Sequence, residues 1–372
     1  MLRLKKAPYG FKQAPRAWYD WLTQYILDRG FKRRYANRTL FVKNDEDYLL
    51  IAQVYVDDIV FGATIDAQAI EFFEEMKKEF KMSMVGELTF FLGLQVKQRK
   101  EGIFISQEKY ARNIVKKFGL YSKKHASTSM SSSMKLNVDS FRVEVSPTLY
   151  RSIIGSIIGS LLYLTLSKPD IAFSMGVCAG YQAALKESHL TAVKRIIRYV
   201  NGTPNYGLWY SKDSNACIVG YLDADWAGSV DDRKSTLGGC FYLENNLVFW
   251  MSKKQNFVSL SIAEAKYIAA RSYCTQLLWM KKLLHEYGIP QDTMCVFYDN
   301  TNAINLSKNP VQHSKSKHIE IHYHFIRDFM EDKVVCLEFI HTNNQKVNIF
   351  TKPFDGPQFE SLCKIIGVGT IP

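Results

Sequence analysis

This chain is short of acid for its length and has no apolar run long enough to cross a membrane. Among 372 residues, 48 Lys and Arg outnumber 36 Asp and Glu, a net charge of +12. Because the excess base is spread along the chain, it points to a polyanionic partner, with nucleic acid as the first candidate and a chain merely kept soluble by charge as the alternative. The seven cysteines include no C-x-x-C pair. Odd in number and widely spaced, they argue against a disulfide framework and against a zinc ribbon, and they predict a reducing compartment, cytoplasm or nucleus. The most membrane-like stretch, Ile153 to Leu166, is broken by Gly155, Ser156, Gly159 and Ser160 and falls short of the roughly 20 residues that a span requires. Its Gly155-x-x-x-Gly159 spacing predicts close packing of two soluble helices. Met1 to Lys6 is too polar for a signal peptide, so the expectation is neither a secreted nor a transmembrane protein. Nothing in the sequence sets an oligomeric state.

What is present starts with Val54-Tyr55-Val56-Asp57-Asp58-Ile59-Val60, two acids inside an apolar run. Aspartate forms strands poorly and is costly to bury, so the pattern predicts a β-hairpin with both carboxylates at its tip. Such a tip suits a divalent metal. An ordinary Asp-Asp turn is the alternative, although such turns normally carry Gly or Asn.

With 47% apolar residues the chain can bury two or three cores of domain size. Trp18 to Asp28 has helical spacing and stops at Arg29-Gly30, and strands follow to about Gly62. Ala67 to Phe80 is again helical, with Ile70, Phe73, Met76, Lys77 and Phe80 along one stripe, and Leu88 to Gln98 with Gly102 to Ser106 forms a second hairpin. The serine-rich stretch Ser127 to Ser133 is expected to be a linker. Pro147 to Tyr199 is helical and contains the tandem repeat Ile153-Ile154-Gly155-Ser156 and Ile157-Ile158-Gly159-Ser160; four residues add slightly more than one helical turn, so the apolar face is kept. Strands are expected at about Ile218 to Leu222, Cys240 to Leu243 and Leu247 to Trp250, then a helix from Ser261 to Tyr287 and a strand at Met294 to Tyr298. The fold class is therefore multidomain, α+β followed by α/β.

Several motifs in fixed order carry a resemblance: Leu4-Lys5-Lys6-Ala7-Pro8-Tyr9-Gly10-Phe11-Lys12-Gln13-Ala14-Pro15-Arg16-Ala17-Trp18-Tyr19, Tyr55-Val56-Asp57-Asp58, Phe91-Leu92-Gly93-Leu94, Asp223-Ala224-Asp225-Trp226-Ala227-Gly228, Asp232-Arg233-Lys234-Ser235-Thr236, Lys317-His318-Ile319-Glu320 and Phe350-Thr351-Lys352-Pro353. Together they resemble the reverse transcriptase and ribonuclease H portion of copia-type retrotransposon Pol polyproteins. The resemblance implies a partial reverse-transcriptase palm over 1–126, a linker over 127–146, a helical connection over 147–204 and a ribonuclease H-like domain, a mixed sheet with helices, over 205–372. It further implies RNA-directed DNA synthesis and cleavage of RNA/DNA hybrid as inherited functions, Mg2+ as cofactor, and hybrid or duplex nucleic acid as partner.

By the same resemblance, Asp57 and Asp58 are polymerase metal ligands, and Tyr9, Gly10, Lys12 and Gln13 belong to the nucleotide pocket. An essential aspartate of the family lies upstream of this sequence, which leaves half a site. Two-metal chemistry needs carboxylates on both sides of the ions. In the nuclease part, Asp223 and Asp299 take the first and third ligand positions, with Asp225 beside them. The second position is a helical glutamate in the family; here the segment reads Ala263-Glu264-Ala265-Lys266-Tyr267, which puts Lys266 there. Lys266, Ala270, Tyr273, Leu277, Met280 and Leu284 form a buried stripe headed by that lysine, and Glu264 lies about 200° around the helix and cannot replace it. The fourth position, an aspartate in the family, is Asn348. On scale alone, a unit charge about 4 Å from a divalent ion at effective dielectric 20 costs roughly 8 kcal/mol. Both metal sites are therefore expected to be incomplete, with weak Mg2+ affinity at most.

Weaker candidates remain. His318 and His322 flank Glu320, but on a helix that glutamate faces away, so no H-E-x-x-H arrangement results. Asp231-Asp232-Arg233-Lys234 reads as a solvated turn, with a substrate-facing role left open. Lys77-Lys78, Lys116-Lys117 and Lys123-Lys124 are phosphate contacts or ordinary solvated faces.

Overall fold

The computed structural model describes residues 12–45, 47–119, 124–133, 135–138, 147–183, 186–212, 216–308 and 320–372. They fall into two compact units: the chain up to Leu88 together with Trp279–Pro290, and Thr89–Leu278 with Gln291–Pro372.

In the first unit, helix α1 (Ala14–Leu27) precedes a four-stranded antiparallel sheet of β1 (Lys32–Arg33), β2 (Leu40–Asn44), β3 (Leu49–Tyr55) and β4 (Asp58–Ala63), in that spatial order, and helix α2 (Asp66–Glu79) follows. Gly30, at φ +82°, ends the α1 turn where only glycine is unstrained. Alternate residues Leu50, Ala52 and Val54 of β3 are buried and meet Leu22 and Ile26 of α1 and Phe72 and Met76 of α2 in one core, as period-2 alternation requires. The α2 stripe differs from expectation. Phe72, Phe73 and Met76 face inward while Ile70 is 55% exposed, because Phe72 packs against the rings of Phe31 and Phe61 and fixes the helix rotation.

The second unit holds two five-stranded sheets. One is antiparallel: β5 (Phe90–Phe91), β6 (Leu94–Arg99), β7 (Gly102–Ser106), β8 (Gly207–Ser211) and β14 (Val368–Gly369), ordered β14-β8-β7-β6-β5. Residues 89–106 thus pair with strands from beyond residue 205 and lie in the second unit. The other is mixed: β9 (Ile218–Ala224), β10 (Thr236–Leu243), β11 (Asn246–Lys254), β12 (Met294–Tyr298) and β13 (Val335–Phe339), ordered β11-β10-β9-β12-β13, with β9, β12 and β13 mutually parallel. The helices are α3 (Glu108–Lys117), α4 (Pro147–Leu164), α5 (Ala172–Gly180), α6 (Glu187–Gly202), α7 (Ile262–Glu286), α8 (Thr301–Lys308), α9 (Glu320–Glu331) and α10 (Gly356–Ile365).

Two expectations about the helical region are corrected. Thr128, Ser129 and Met130 are buried and not a tether: Arg195 Nη2 donates to Thr128 Oγ1 at 2.8 Å and Ser129 Oγ donates to the Asp170 carbonyl at 3.1 Å. Hydrogen bonds to the helices let these polar residues be buried. Beside them, fully buried Lys168 donates to the Thr203 carbonyl at 2.8 Å and lies 4.0 Å from Asp170, whose Oδ2 accepts from the Tyr199 hydroxyl. Burial holds the Lys168 pKa below that of a free lysine. The glycine pair does not mediate close helix contact either: among the described residues a Cβ on Gly159 would meet nothing within 4 Å, and one on Gly155 only the Gln182 side chain. The second repeat instead supplies Ile157 and Ile158 to the core, with Leu161 and Leu164 one and two turns on.

Interior strand β10 is pressed from both sides at consecutive glycines. A Cβ on Gly238 would lie 2.6 Å from Thr351 Cγ2, and one on Gly239 would lie 2.6 Å from the buried Tyr273 ring of α7. These absences let α7 on one face and residues 347–351 on the other come close enough to present side chains at the strand ends. Gly239→Ala should therefore overpack the Tyr273 side and cost about 1–3 kcal/mol, read as a lower Tm in thermal denaturation followed by circular dichroism.

Candidate active site

The carboxylates of Asp57 and Asp58 sit, exposed, at the tip of the β3–β4 hairpin, where Tyr55 pairs with Asp58 around a two-residue loop. Val56 takes φ +51° there. A left-handed conformation is a true outlier for a β-branched residue and costs about 1–3 kcal/mol, so this tip is held by the strands and not by its own preference. Lys12 and Gln13 are exposed at the start of α1; Tyr9 and Gly10 lie outside the described residues, as does His318, and nothing is described of the Glu320 and His322 side chains. Asp232 behaves as part of a solvated turn: its carboxylate pairs with Lys254 at 2.8 Å and Lys234 at 3.5 Å. Slight burial opposes ionisation there, and the Lys254 hydrogen bond outweighs it, leaving the pKa well below the usual range.

The nuclease positions converge at one end of the mixed sheet. Asp223 is buried next to the end of β9, and Asp299 follows β12 directly. Helix α7 begins at Ser261-Ile262-Ala263-Glu264: Ser261 caps it, its Oγ accepting from the Glu264 amide at 3.1 Å, and Glu264 Oε2 reaches back to accept from the amide of Leu260, the residue before the cap, at 2.7 Å. The first bond satisfies an orphan amide of the helix start, and the second fixes the chain entering it. It also occupies Glu264, and its S-x-x-E signature was legible in the sequence though unused. One turn in, Lys266 is only 8% exposed. Its ammonium lies 2.8 Å from Asp223 Oδ1 and donates a short hydrogen bond to Asp299 Oδ1. Burial disfavours the charged lysine, but attraction to Asp223 and hydrogen bonds to both carboxylates prevail, and its pKa lies above that of a free lysine.

The outer oxygens are held by the segment that follows β13. Thr342 Oγ1 donates to Asp299 Oδ2 at 3.1 Å. Thr351 Oγ1 lies 3.2 Å from Asp223 Oδ2 and 3.1 Å from the Asn348 carbonyl, its single proton serving one at a time. Asn348 Nδ2 donates to the Thr342 carbonyl at 3.0 Å, leaving Asn348 Oδ1 a buried acceptor without a partner. Gln345 Nε2 reaches the carbonyls of Leu222 at 3.2 Å and Phe297 at 3.4 Å, tying the ends of β9 and β12 and so setting the spacing of the two aspartates. Gln345, Thr342 and Thr351 were not singled out from sequence, since a polar residue after a strand has no local signature for such a role.

Asp225 turns away from this pair. Its Oδ1 accepts a short hydrogen bond from the Thr236 amide, and a Cβ on Gly228 would collide with its Oδ2. Burial, opposed by the Thr236 bond and aided by nearby Asp223, raises its pKa to about 7.

Magnesium does not fit the nuclease residues. The space between Asp223 and Asp299 holds an ammonium, and among the described residues no third acidic, His or Cys side chain joins either this pair or Asp57 and Asp58. A hard dication needs several oxygen ligands and no neighbouring cation.

A family description, reverse transcriptase (RNA-dependent DNA polymerase), matches residues 1–132. The Retrovirus-related Pol polyprotein from transposon RE1 of Arabidopsis thaliana is 36% identical over 371 residues, covering 100% of this chain and 25% of that protein. An uncharacterized mitochondrial protein of the same plant is 33% identical over 62% of this chain and 93% of its own length. The chain belongs to the copia-type retrotransposon Pol family. It spans about a quarter of the RE1 polyprotein. The foamy viral protease-reverse transcriptase shares its fold: the structure with dsDNA covers 90% of this chain and 60% of that one at TM-score 0.51 and 12% identity, and the structure with RNA/DNA hybrid covers 90% and 39% at TM-score 0.50 and 12% identity. Among the described residues no helix is long and apolar enough to cross a membrane.

Two outcomes follow for this family member. Lys266→Ala would leave Asp223 and Asp299 buried together without a counter-charge and should cost about 3–5 kcal/mol, measured by denaturant unfolding. For Asp225, the folded pKa of about 7 exceeds the ordinary 3.8, so between these values the folded state binds more protons than the unfolded, and stability falls as pH rises. Asp225→Asn should flatten that fall in Tm between about pH 4 and pH 7.

Proposed function

We infer that this chain is a retrotransposon-derived reverse transcriptase/ribonuclease H fragment that binds nucleic acid and catalyses neither polymerisation nor hybrid cleavage. The observation that carries the reading is the Lys266 ammonium held by Asp223 and Asp299. A cation at that point takes over the electrostatic role of a metal and bars a real one: Asp223 and Asp299 give their inner oxygens to lysine and their outer oxygens to threonine hydroxyls. Asn348 offers a neutral oxygen and no charge. At the polymerase tip, two exposed aspartates, with no third acidic, His or Cys side chain beside them among the described residues, make half of a two-metal site.

Binding rests on charge. The chain is +12, and the foamy viral protein whose fold it shares was seen with RNA/DNA hybrid and with dsDNA, so hybrid or duplex is the partner of choice. Lys266 also cancels one of the two negative charges at the nuclease site, which lowers its repulsion of a phosphate backbone. Contacts to phosphates carry no sequence information, so preference among sequences is slight.

Purified protein should bind hybrid with an affinity that falls at least about tenfold between 50 and 200 mM salt, and should not cleave it with magnesium. The double change Lys266→Glu with Asn348→Asp should restore magnesium binding, seen by calorimetry, and some hybrid cleavage. Magnesium-dependent cleavage by the unaltered protein would identify a working nuclease instead, and absence of binding at low salt would leave a folded remnant without a partner.

A further inference from the structure

A second cluster of ligating atoms lies on β12 and β13, apart from the nuclease residues. Cys295 and Cys336 are direct partners across the parallel pair, with their sulfurs 2.9 Å apart. Glu338, two residues along β13 and therefore on the same face, brings Oε1 to 3.6 Å from Cys295 Sγ and 3.9 Å from Cys336 Sγ. Both thiols are half-buried and the glutamate is exposed, so the cluster is open to solvent on one side. Among the described residues this is the only group of three or more His, Cys, Asp or Glu whose ligand atoms lie within 4.8 Å of one another.

We propose that Cys295, Cys336 and Glu338 form a binding site for a thiophilic divalent cation of the zinc class, completed by a water on the exposed side. The geometry is near what such an ion requires. With metal–sulfur and metal–oxygen bonds of about 2.3 and 2.0 Å, the edges of a tetrahedron are about 3.5 Å from sulfur to oxygen and about 3.8 Å between sulfurs. Both sulfur–oxygen separations are already close to that value. The sulfurs must part by about 0.9 Å, which small χ1 rotations of two half-buried cysteines supply. As the metal–sulfur bonds form, each thiol releases its proton to solvent, and two thiolates with one carboxylate then surround the dication.

Glu338 decides between a metal and a disulfide. A carboxylate takes no part in a sulfur–sulfur bond, and its negative charge opposes the thiolate that attacks in disulfide formation. The same charge stabilises a bound cation. Thiolate ligands also select against magnesium. The site is separate from the lysine pair, since Asp299 lies four residues beyond Cys295, roughly 13 Å along an extended strand. A bound ion would clip β13, an edge of its sheet, to β12, and binding to the folded state alone would raise Tm.

The test uses the full chain, reduced, with cobalt(II) as spectroscopic probe. The expected result is one cobalt per chain with thiolate-to-cobalt charge-transfer absorption, displaced by zinc, indifferent to magnesium, and a Tm that rises with added zinc. Cys295→Ser and Cys336→Ser should each weaken binding at least tenfold. Cys217→Ser, at an exposed cysteine elsewhere, should leave it intact. Glu338→Gln, a surface change that does not threaten folding, should keep the absorption band and weaken affinity severalfold. The proposal is overturned by absence of the band at saturating cobalt, or by a band that survives in the Cys295→Ser/Cys336→Ser double variant. It is equally overturned by a Cys295–Cys336 disulfide that forms in preference to metal binding when zinc and glutathione disulfide are offered together.

Discussion

Two carboxylates at neighbouring strand ends, buried from water, repel each other unless something positive lies between them. In this protein that requirement is met by the Lys266 ammonium, and most of the surrounding arrangement follows from it. The Ser261 cap, with Glu264 reaching back to Leu260, fixes where α7 starts, and hence which residue one turn later faces Asp223 and Asp299. The consecutive glycines of β10 admit α7 and the 347–351 segment close to the sheet. Gln345 then bridges the carbonyls of Leu222 and Phe297, close before the two aspartates. A buried ion pair is expensive to desolvate and its net contribution to stability is small, but removing one partner is costly because the other is left uncompensated. Such a centre is stable as a closed unit and resists partial alteration.

The polymerase tip obeys a different constraint. Its aspartates are exposed, so water and not a counter-ion stabilises them, and the cost sits in the backbone, at Val56 in the left-handed region. That strain is maintained by flanking strands whose alternate side chains enter the core beneath α1 and α2. Here two carboxylates stand in water at a turn, whereas at the end of the mixed sheet two carboxylates are buried around an ammonium.

The helical region shows how hydrogen bonding overrides composition. A run of serines reads as linker, yet Thr128 and Ser129 are buried because Arg195 and the Asp170 backbone accommodate their hydroxyls. The adjoining Lys168 is buried as well, its ammonium spread over the Thr203 carbonyl and Asp170. Apart from Asp170 beside Lys168, none of these partners is near in sequence.

The sequence by itself determined the family, strands β9 to β12 of the mixed sheet with the helix α7 among them, the hairpin with Asp57 and Asp58 at its tip, and the placement of Lys266 where a glutamate is expected. Each of these rests on local periodicity, turn chemistry or motif order, which are written in neighbouring residues. Only the tertiary structure decided which groups satisfy the buried charges. That Lys266 reaches both aspartates, that β7 pairs with β8, and that Cys295 meets Cys336 and Glu338 depend on contacts between segments dozens of residues apart or more, and that Asp225 turns to Thr236 depends on one across 11 residues. Burial and strand register, and not composition, select among the partners a polar side chain could take.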